Sequence, residues 1–366
     1  MNDYEKNFNE ARATISDIDK EIAVLFEKRM KAAKAVAEYK KVNGLPIEDL
    51  AREESLIKSN SELVKDEEIR SYYINYLKNT MNLSKDFQHK LIDGTRIAFS
   101  GVKGAFAEIA VKRIFPDGKA VPYPDFKSAY KAVENGECEC AVLPIENSYE
   151  GDVVRVMDLT YFGSLYINGI YDLAVEQHLF GTLDASRNSI KKVISHPQAL
   201  GQCREYIEER GLQKEEAVNT AIAAETVAKN GDKGVGVICS LEAGHEYGLK
   251  LIDRKINKDS TNTTRFAVFS RIPKAYAESD ENFIILFTVR DEQGCLGKAV
   301  SVFGDYGYNL KSLKSRPSKD VIWNYYFYLE GHGNLTKENE KNMMAKLAEV
   351  CTNVRLVGRF GKEVQI

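Results

Sequence analysis

The sequence predicts a multidomain protein that consists of an all-α segment, a two-lobed α/β segment and an α+β segment along its 366 residues. In the first ninety residues, apolar side chains recur at helical spacing. Short apolar strands alternate with helix-like stretches in the middle, and the last part follows the order βαββαβ, a ferredoxin-like motif. We place the three domains at residues 1–92, 94–273 and 280–366, and residues 276–281 form the last linker.

The composition narrows the classes of partner. With 43% apolar residues, 29% charged residues and a formal net charge of −3, the chain has no general attraction for nucleic acid or for an anionic membrane. Its first residues are polar and acidic, and no run approaches the length of a membrane span, so we expect a cytoplasmic protein. The six cysteines are predicted to be buried thiols. Cys138 and Cys140 lack a second ligand pair, so we expect no metal.

Residues 8–42 predict one long helix. Apolar side chains recur there at alternating steps of three and four, which is the spacing of a coiled-coil seam. A helix of about 50 Å cannot bury such a stripe within its own short domain, so we infer a dimer. Two further helices are predicted at about 48–60 and 66–90. The seam consists of Phe8, Ala11, Ile15, Ile18, Ile22, Leu25, Arg29, Ala32, Val36 and Tyr39.

Several polar residues of the predicted helices share faces. Arg29 and Lys40 are eleven positions apart, so they project within roughly 20° of each other. Arg12 is rotated by about a quarter-turn from Arg29 and would face a different pocket, that of the partner chain. Each charge alone is typical of a solvated surface. The remaining positions of the set fall at steps of three or four on the second and third helices: Asp49, Arg52, Glu53, Ser84 and Gln88.

Taken together, these eight positions resemble the active site of the helical chorismate mutases over residues 8–90. The resemblance implies an intertwined dimer that rearranges chorismate to prephenate without nucleophile, metal or cofactor, by holding a compact conformer and stabilising charge on the ether oxygen. It also implies that Arg29 and the partner's Arg12 grip the two carboxylates, that Lys40 and Gln88 donate to the ether oxygen and that Glu53 holds the ring hydroxyl. Arg52, Asp49 and Ser84 would complete the shell.

The middle segment carries four sequence blocks at predicted strand ends, where open α/β sheets place their ligands. They are GVKGAFAE (101–108), PIENSYEG (144–151), SHPQALGQC (195–203) and NTTRF (262–266). We expect a mostly parallel sheet here. In this order the blocks resemble those of prephenate dehydratases. The resemblance implies a two-lobed fold like that of periplasmic binding proteins, and the conversion of prephenate to phenylpyruvate with loss of carbon dioxide and water.

By this resemblance Thr264 assists the departing hydroxyl group. Arg265 has two interpretations, a clamp for a substrate carboxylate or an arginine that positions the TRF turn, and the sequence does not decide between them. We expect His178 and His196 to be structural hydrogen-bonding residues rather than catalytic acids. The candidate substrate-binding residues are Glu146, Asn147, Ser148, Ser195, Gln202, Arg265 and Phe266.

The chain departs from the dehydratase pattern at two positions of the first block and at one position directly after the second block. Many relatives have threonine or serine where Ala105 and Ala107 stand, and serine where Asp152 stands. A polar contact to the substrate is therefore missing or relocated, and Asp152 adds negative charge near a site for an anion.

The last segment resembles an ACT domain of the dehydratase type, which implies feedback control by L-phenylalanine. Lys314 stands where relatives have glutamate, which reverses a charge beside the effector site. The alternative is that this domain only mediates dimerisation. The effector-binding residues implied by the resemblance are Gly294, Cys295, Leu296, Gly297, Ser315, Arg316 and Pro317.

The sequence thus predicts a bifunctional enzyme of phenylalanine biosynthesis, a homodimer or higher homo-oligomer. Its substrates would be chorismate and prephenate, and its effector L-phenylalanine. Two other interpretations remain open. One is a non-catalytic ligand-binding protein, since two-lobed folds also host pure binders. The other is an enzyme that acts on arogenate, or a decarboxylase that stops before aromatisation.

Overall fold

The computed structural model describes residues 3–257, 262–318 and 325–366. The chain divides into two compact units, Met1–Arg96 and Ile97–Ile366, which are described separately below. In these described ranges no helix has both the length and the apolar character needed to cross a membrane. All six cysteines are free and buried, as predicted.

The first unit is the predicted three-helix segment. Its helices are α1 (Asp3–Asn43), α2 (Leu50–Ser61) and α3 (Glu67–Asp93). Aspartates begin the second and third: the Asp49 side chain accepts a hydrogen bond from the Arg52 backbone N–H at the start of α2, and Asp66 caps α3 in the same way. Such caps satisfy backbone donors that the first helical turn leaves free. The three-helix prediction is confirmed.

Helix α1 packs on α3 through small residues and leaves its apolar seam open. Ala33 and Ala37 are buried against α3, which lets the two backbones approach closely. In contrast, the seam residues Ile18 and Leu25 are 50% and 61% exposed. The single chain therefore presents a long apolar helix face that its own unit does not cover.

The second unit begins with a lobe that contains β1 (Arg96–Ser100), α4 (Phe106–Ile114), β2 (Lys119–Tyr123), α5 (Phe126–Glu134), β3 (Cys140–Asn147), β4 (Gly151–Asp152), α6 (Val154–Phe162) and β5 (Tyr166–Ala174). The chain then crosses into a second lobe, and it returns to the first lobe through one further strand, as the sheet order shows. The second lobe and the returning strand contain β6 (His178–Gly181), β7 (Lys192–Ser195), α7 (Pro197–Gln202), α8 (Arg204–Glu209), β8 (Gln213–Glu216), α9 (Thr220–Asn230), β9 (Val235–Cys239), α10 (Leu241–Glu246), β10 (Lys250–Asp253) and β11 (Thr263–Ser270).

Each lobe has its own sheet, so the two-lobed prediction is confirmed. The prediction of a mostly parallel sheet is wrong. Strands β1 and β3 are parallel, but β11 lies antiparallel between β3 and β5. In the second sheet β7 is parallel to β8 and β9, whereas β6 and β10 run antiparallel. The sheets are mixed because the chain enters and leaves the second lobe through single strands rather than through helical crossovers.

The end of the chain forms the last part of the second unit, here called the tail. It comprises β12 (Asn282–Val289), α11 (Cys295–Asp305), β13 (Asn309–Pro317), β14 (Tyr325–His332), α12 (Lys337–Val350), β15 (Cys351–Phe360) and β16 (Val364–Gln365). The antiparallel order β13-β14-β12-β15 confirms the βαββαβ prediction. From the sequence, the third strand of the βαββαβ order is predicted at residues 321–331, and residues 321–324 of that stretch lie outside the described residues.

The tail is joined to the first lobe by sheet and by core. Strand β15 pairs with β5 at Gly358 and Ile167, and β16 also pairs with β5, so the two sheets are continuous. Apolar side chains of the tail, among them Ile284 and Tyr326, share one buried cluster with Leu143 of the first lobe. The linker also packs against the tail. The guanidinium carbon of Arg359 in β15 lies 3.3 Å from the centre of the Tyr276 ring of the linker.

Candidate active sites

The three helices of the first unit enclose a cavity of about 230 Å³. Its wall is built from all three helices and from the turn that leads into α2. Seven of the eight predicted mutase residues line it: Arg29, Lys40, Asp49, Arg52, Glu53, Ser84 and Gln88. The helical spacing had placed Arg29 and Lys40 on one stripe, and the structure brings that stripe to the cavity.

The two cations that α1 contributes to the cavity are held by hydrogen bonds to α3 and to the turn before α2. An Arg29 Nη1–H donates to the Thr80 carbonyl oxygen over 3.0 Å and also to Ser84 Oγ. Burial lowers the pKa of Arg29, although an arginine stays protonated at neutral pH. The Lys40 ammonium donates to the Ile47 carbonyl oxygen at 2.6 Å. Both side chains are partly buried, so they point into the protein rather than into bulk water.

The cavity contains a residue that the sequence analysis missed. Lys85 donates to Glu53 Oε2 at 3.0 Å, and both side chains are about one-fifth exposed. Lys85 directly follows Ser84 and precedes Gln88 by three positions, so the helical spacing of α3 carried the signal.

The charges around the cavity favour an anionic ligand. Among the described residues that line it, four are cations (Arg29, Lys40, Arg52 and Lys85) and two are carboxylates (Asp49 and Glu53). The excess of two positive charges would be balanced by a doubly negative molecule. Partly buried cations without equal carboxylates attract such a ligand strongly.

Two of the predicted mutase residues have a different arrangement from the others. Gln88 is 8% exposed, its Nε2–H donates to the Ser84 carbonyl oxygen at 3.2 Å, and its Oε1 has no partner in the described part of the chain. Its amide must therefore turn before it can donate to a ligand. Arg12 does not line the cavity of its own chain, and its guanidinium lies 4.6 Å from the centre of the exposed Phe8 ring.

In the second unit, the register of β3 and β11 brings two of the sequence blocks together. Thr264 lies opposite Asn147, and Asn147 Nδ2–H donates to Thr264 Oγ1 at 2.9 Å. The same amide nitrogen is 3.0 Å from Asn262 Oδ1, and Asn147 Oδ1 accepts the backbone N–H of Tyr149. The second and fourth blocks thus form one hydrogen-bonded group at the end of β3.

A cleft of about 560 Å³ lies between the lobes beside this group. Its wall includes Tyr149 and Asn262 of the first lobe, and Gly201, Gln202 and Cys203 of the second. Three of the four predicted blocks therefore meet at one cleft, as expected for blocks at strand ends.

Asn262 is the second residue that the sequence analysis missed. It is 2% exposed, and its Nδ2 has no partner among the described residues. A buried amide donor without an acceptor is unfavourable unless a ligand or water completes it. The residue belongs to the quoted NTTRF block, so its position was visible in the sequence although its role was not.

Several other residues that were predicted to bind the substrate make contacts within the protein itself. Ser195 is fully buried and donates to the Ile238 carbonyl oxygen at 2.5 Å. Phe266 lies in the hydrophobic core at 2% exposure. Ser148 Oγ accepts the Thr263 backbone N–H at 3.0 Å, whereas Gln202 reaches the cleft wall and accepts from Gln177 at 3.3 Å.

The two histidines near the cleft act as hydrogen-bond acceptors. His178 Nδ1 accepts the Lys255 backbone N–H at 3.0 Å, and burial lowers the pKa of His178. His196 Nδ1 accepts the Gln198 backbone N–H at the start of α7. This geometry favours the structural interpretation of both.

The comparisons with known proteins match both domains. A prephenate dehydratase family model matches residues 97–274, and a chorismate mutase type II model matches residues 11–89. Arogenate dehydratase 2 of Petunia hybrida is 33% identical over 295 residues, 76% of this chain and 75% of its own. The bifunctional chorismate mutase/prephenate dehydratase of Aquifex aeolicus is 29% identical over 98% of each chain.

Solved structures are similar over the second unit. Prephenate dehydratase from Arthrobacter aurescens in complex with L-Phe has 25% identity and a TM-score of 0.67, over 73% of this chain and 90% of its own. A protein described as GqqA, a quorum-quenching acylase, has 27% identity and a TM-score of 0.68, over 73% and 98%.

The chain belongs to the bifunctional chorismate mutase/prephenate dehydratase family. It is an enzyme of phenylalanine biosynthesis, with a mutase domain in the first unit and a dehydratase domain in the second.

In the dehydratase domain Arg265 is occupied by carboxylates of the protein itself. It contacts Glu146 at 2.8 Å, and Glu330 and Glu363 of the tail at 3.0 Å each. Burial would lower the pKa of Arg265, but Glu330 and the other carboxylates outweigh it and raise that pKa. This arrangement favours the positioning interpretation of Arg265 over the substrate clamp.

Lys314, the charge-reversed residue of the tail, also has partners in the dehydratase domain. Its ammonium lies 2.5 Å from Asp152 Oδ1 and 3.0 Å from Glu146 Oε1. Burial alone would raise the pKa of Glu146, but hydrogen bonds from Arg265 and Lys314 hold it below its ordinary value. Two departures from the dehydratase pattern, Lys314 and Asp152, therefore form an ion pair with each other.

The predicted effector residues lie at one end of the tail sheet. Gly294, with φ of +78°, is the residue before α11 and follows the end of β12, while Ser315 is near the end of β13. Phe287 of β12 and Ser315 of β13 are both in register with Phe327 of β14. The two strands therefore finish at the same end of the sheet. Arg316 faces the dehydratase domain, where its Nε lies 3.3 Å from Asp158 Oδ1.

Proposed function

We propose that the mutase cavity binds chorismate as a dianion and rearranges it to prephenate. The observation that carries this proposal is the convergence of eight polar residues, Lys85 included, with two excess positive charges, on one cavity. A pericyclic reaction needs only a compact substrate conformer and donors aimed at the oxygen on which charge develops. Lys40 and Gln88 supply those donors, and Glu53, held by Lys85, accepts from the ring hydroxyl.

The active enzyme is a homodimer joined through α1. The exposed seam of that helix supports this proposal, because a second copy would cover it. Arg12 gives further support, since it lies away from its own cavity and would complete the cavity of the partner. Arg29 and the Arg12 of the partner then hold the two carboxylates of chorismate.

The dehydratase domain converts prephenate to phenylpyruvate in the cleft between its lobes. Thr264 assists the departing hydroxyl, and Asn147 orients the Thr264 side chain through its 2.9 Å hydrogen bond. Asn262 offers a free buried donor at the wall of the same cleft. Prephenate is favoured over arogenate because the chain carries its own mutase domain, whose product is prephenate.

The tail is an ACT domain that binds L-phenylalanine and lowers dehydratase activity. The common edge formed by the starts and ends of α11, β12 and β13 supports this site. The dehydratase of Arthrobacter aurescens, of the same family, was solved in complex with L-Phe. We further propose that the enzyme works in the cytoplasm, where chorismate would be available and its cysteines would stay reduced.

One incubation tests the catalytic proposals. The purified protein is given chorismate alone, and every product is identified by mass spectrometry over time. Transient prephenate followed by phenylpyruvate is expected. Unchanged chorismate would refute the mutase assignment, and accumulation of prephenate would refute the dehydratase assignment.

Parallel experiments test the substrate and the effector. With arogenate as substrate, efficient formation of phenylalanine would favour the arogenate dehydratase alternative, whereas a non-aromatic acid would indicate a decarboxylase. Calorimetry with L-phenylalanine is expected to show binding and a reduced dehydratase rate. No heat together with an unchanged rate would leave the tail a dimerisation domain.

A further inference from the structure

We infer that Lys314 of the tail is a positioning residue for the dehydratase reaction, because it braces the strand pair that carries Thr264 and Asn147 from the opposite face of the sheet. This inference rests on the dehydratase activity proposed above. It assigns to a tail residue a role in the reaction itself, in the absence of any effector.

The geometry of the two strands separates a reacting face from a braced face. Neighbouring residues of a strand point to opposite sides, so Thr264 and Arg265 face opposite ways. Thr264 shares its face with Phe266, which packs in a cluster whose buried residues all belong to the first lobe, although Ile366 of the tail packs against its margin. Arg265 shares its face with Ala267, which packs in the cluster that contains tail side chains. The tail therefore covers the back of the strand pair.

On that back face the carboxylate of Glu146 is held between two cations. Its Oε2 lies 2.8 Å from Arg265 Nη1 and its Oε1 lies 3.0 Å from Lys314 Nζ. Lys314 also contacts Asp152 at the end of the short β4, which pairs with β3 at Glu146. One ammonium group, 20% exposed, thus links β13 of the tail to both β3 and β4.

The next residue of β3 completes the link to the reaction. Glu146 precedes Asn147, whose amide binds Thr264 Oγ1. The strand pair has a register irregularity at this point, between Arg265 and Phe266, so its local geometry is not set by a regular ladder alone. Charged contacts on the back face are therefore placed to fix where Asn147 and Thr264 point.

Removing Lys314 should leave the tail in place. The tail and the first lobe share a buried apolar cluster and a continuous sheet, and neither depends on this ion pair. A methionine at position 314 keeps the length and most of the apolar stem of lysine but lacks the charge. The effect on the reaction can thus be separated from loss of the fold.

The experiment compares Lys314→Met with the native enzyme in steady-state kinetics on prephenate. We expect the dehydratase kcat to fall about tenfold, as misplacement of a reacting group by a fraction of an ångström would cause, with KM changed by less than about twofold. Lys314→Arg, which restores a cation, should recover most of kcat. The mutase rate on chorismate, measured in the same samples, should stay unchanged.

A matched control is available on the same strand. Lys311 is also in the tail, but its side chain is 38% exposed, and among the described residues it forms one long contact, with Glu363 at 3.4 Å. Lys311→Met should leave the dehydratase kcat near its native value. An equal loss in both variants would overturn the inference in favour of a general effect of tail charge.

Two further kinetic results would overturn the inference. Native kcat in a folded Lys314→Met enzyme would overturn the inference, and so would a raised KM with unchanged kcat, which would place Lys314 on the substrate. If that variant does not fold, the pair Lys314→Gln and Asp152→Asn, which leaves no unpaired charge at position 152, replaces it with the same expected loss. A native enzyme without phenylpyruvate formation would refute the proposed dehydratase instead.

Discussion

At the scale of single residues, the proposed dehydratase reaction depends on the hydroxyl of Thr264. It accepts from Asn147 Nδ2 at 2.9 Å, so its own proton remains available to a departing oxygen. Asn147 itself is buried at the end of β3, at 8% exposure.

Replacing Thr264 by valine keeps its shape and removes the hydroxyl. We expect phenylpyruvate formation from added prephenate to fall by roughly a hundredfold or more, as loss of proton-transfer assistance does. The loss of chorismate should be unaffected. Thr263→Val, one residue away on the other side of the strand, is the matched control. A native rate in Thr264→Val would remove this residue from the mechanism.

Substitutions in the mutase cavity should have the opposite effect on the two activities. Arg29→Ala or Lys40→Ala should abolish the loss of chorismate, because each removes a cation from a cavity that must hold a dianion. Conversion of added prephenate should continue at the native rate. Lys41→Ala serves as the control, because Lys41 does not line the cavity. If either cavity variant, still folded, lost both activities, the assignment of one activity to each domain would be wrong.

The sequence predicted some of these residue contacts and not others, for a physical reason. Arg29 and Lys40 lie on one helix, where a spacing of eleven residues fixes their relative direction. The pairing of Lys314 with Asp152 joins residues 162 positions apart, one in the tail and one in the first lobe. No local period describes such a contact, so the two charges were visible only as separate departures from the family pattern.

At the scale of elements, the loop that follows β1 meets the second lobe at a glycine. Gly104 has φ of +80°, and a Cβ atom there would lie 2.9 Å from the Ala243 Cα of α10. Only glycine suits both the backbone conformation and the close approach. The first sequence block is therefore explained by contact between the lobes, in addition to any role at the cleft.

Gly104→Ala should consequently destabilise the dehydratase domain by about 1–3 kcal/mol, since it combines backbone strain with a steric clash. Urea unfolding followed by circular dichroism measures this change. Gly304→Ala, in α11 with no heavy atom near the added Cβ, should be neutral or slightly stabilising. Equal stabilities of the two variants would contradict the close approach at Gly104.

Element direction was the part of the fold that sequence patterns did not predict. Strand β11 has the same apolar character in either direction, and only its pairing with β3 and β5 shows that it returns antiparallel. The helices of the first unit and the order of the tail were predicted because their signals are local: helical spacing in one case, alternating short elements in the other.

At the scale of the whole molecule, the proposed homodimer would complete the mutase cavity. Ile22→Glu together with Leu25→Glu places charges on the exposed seam of α1. We expect this variant to be monomeric by light scattering and to lose mutase activity, because Arg12 of a partner no longer reaches the cavity. Lys20→Glu, off the seam and exposed, should change neither property. A fully active monomer would refute the shared site.

The charged contacts between tail and dehydratase domain also predict a pH dependence. The pKa of Glu146 is held below its ordinary 4.5, so its contribution to stability is present above that pH and is lost as the pH falls through the lowered value. In Lys314→Met the pKa of Glu146 should rise. The difference in unfolding free energy between native and variant enzyme should therefore shrink below about pH 4.5, as acid titration of urea unfolding would show. A constant difference would contradict the contact.

The shared core of tail and first lobe limits how a regulatory signal can travel. A regulatory domain on a flexible linker can move away from its catalytic domain. Here, one sheet and one apolar cluster run through both the tail and the first lobe. Departure of the tail would expose that cluster to water at great cost. An effector must instead act through shifts of side chains and strand ends, or through contacts with another copy of the chain, and a catalytic fragment cut free at the linker would be left with a bare apolar surface.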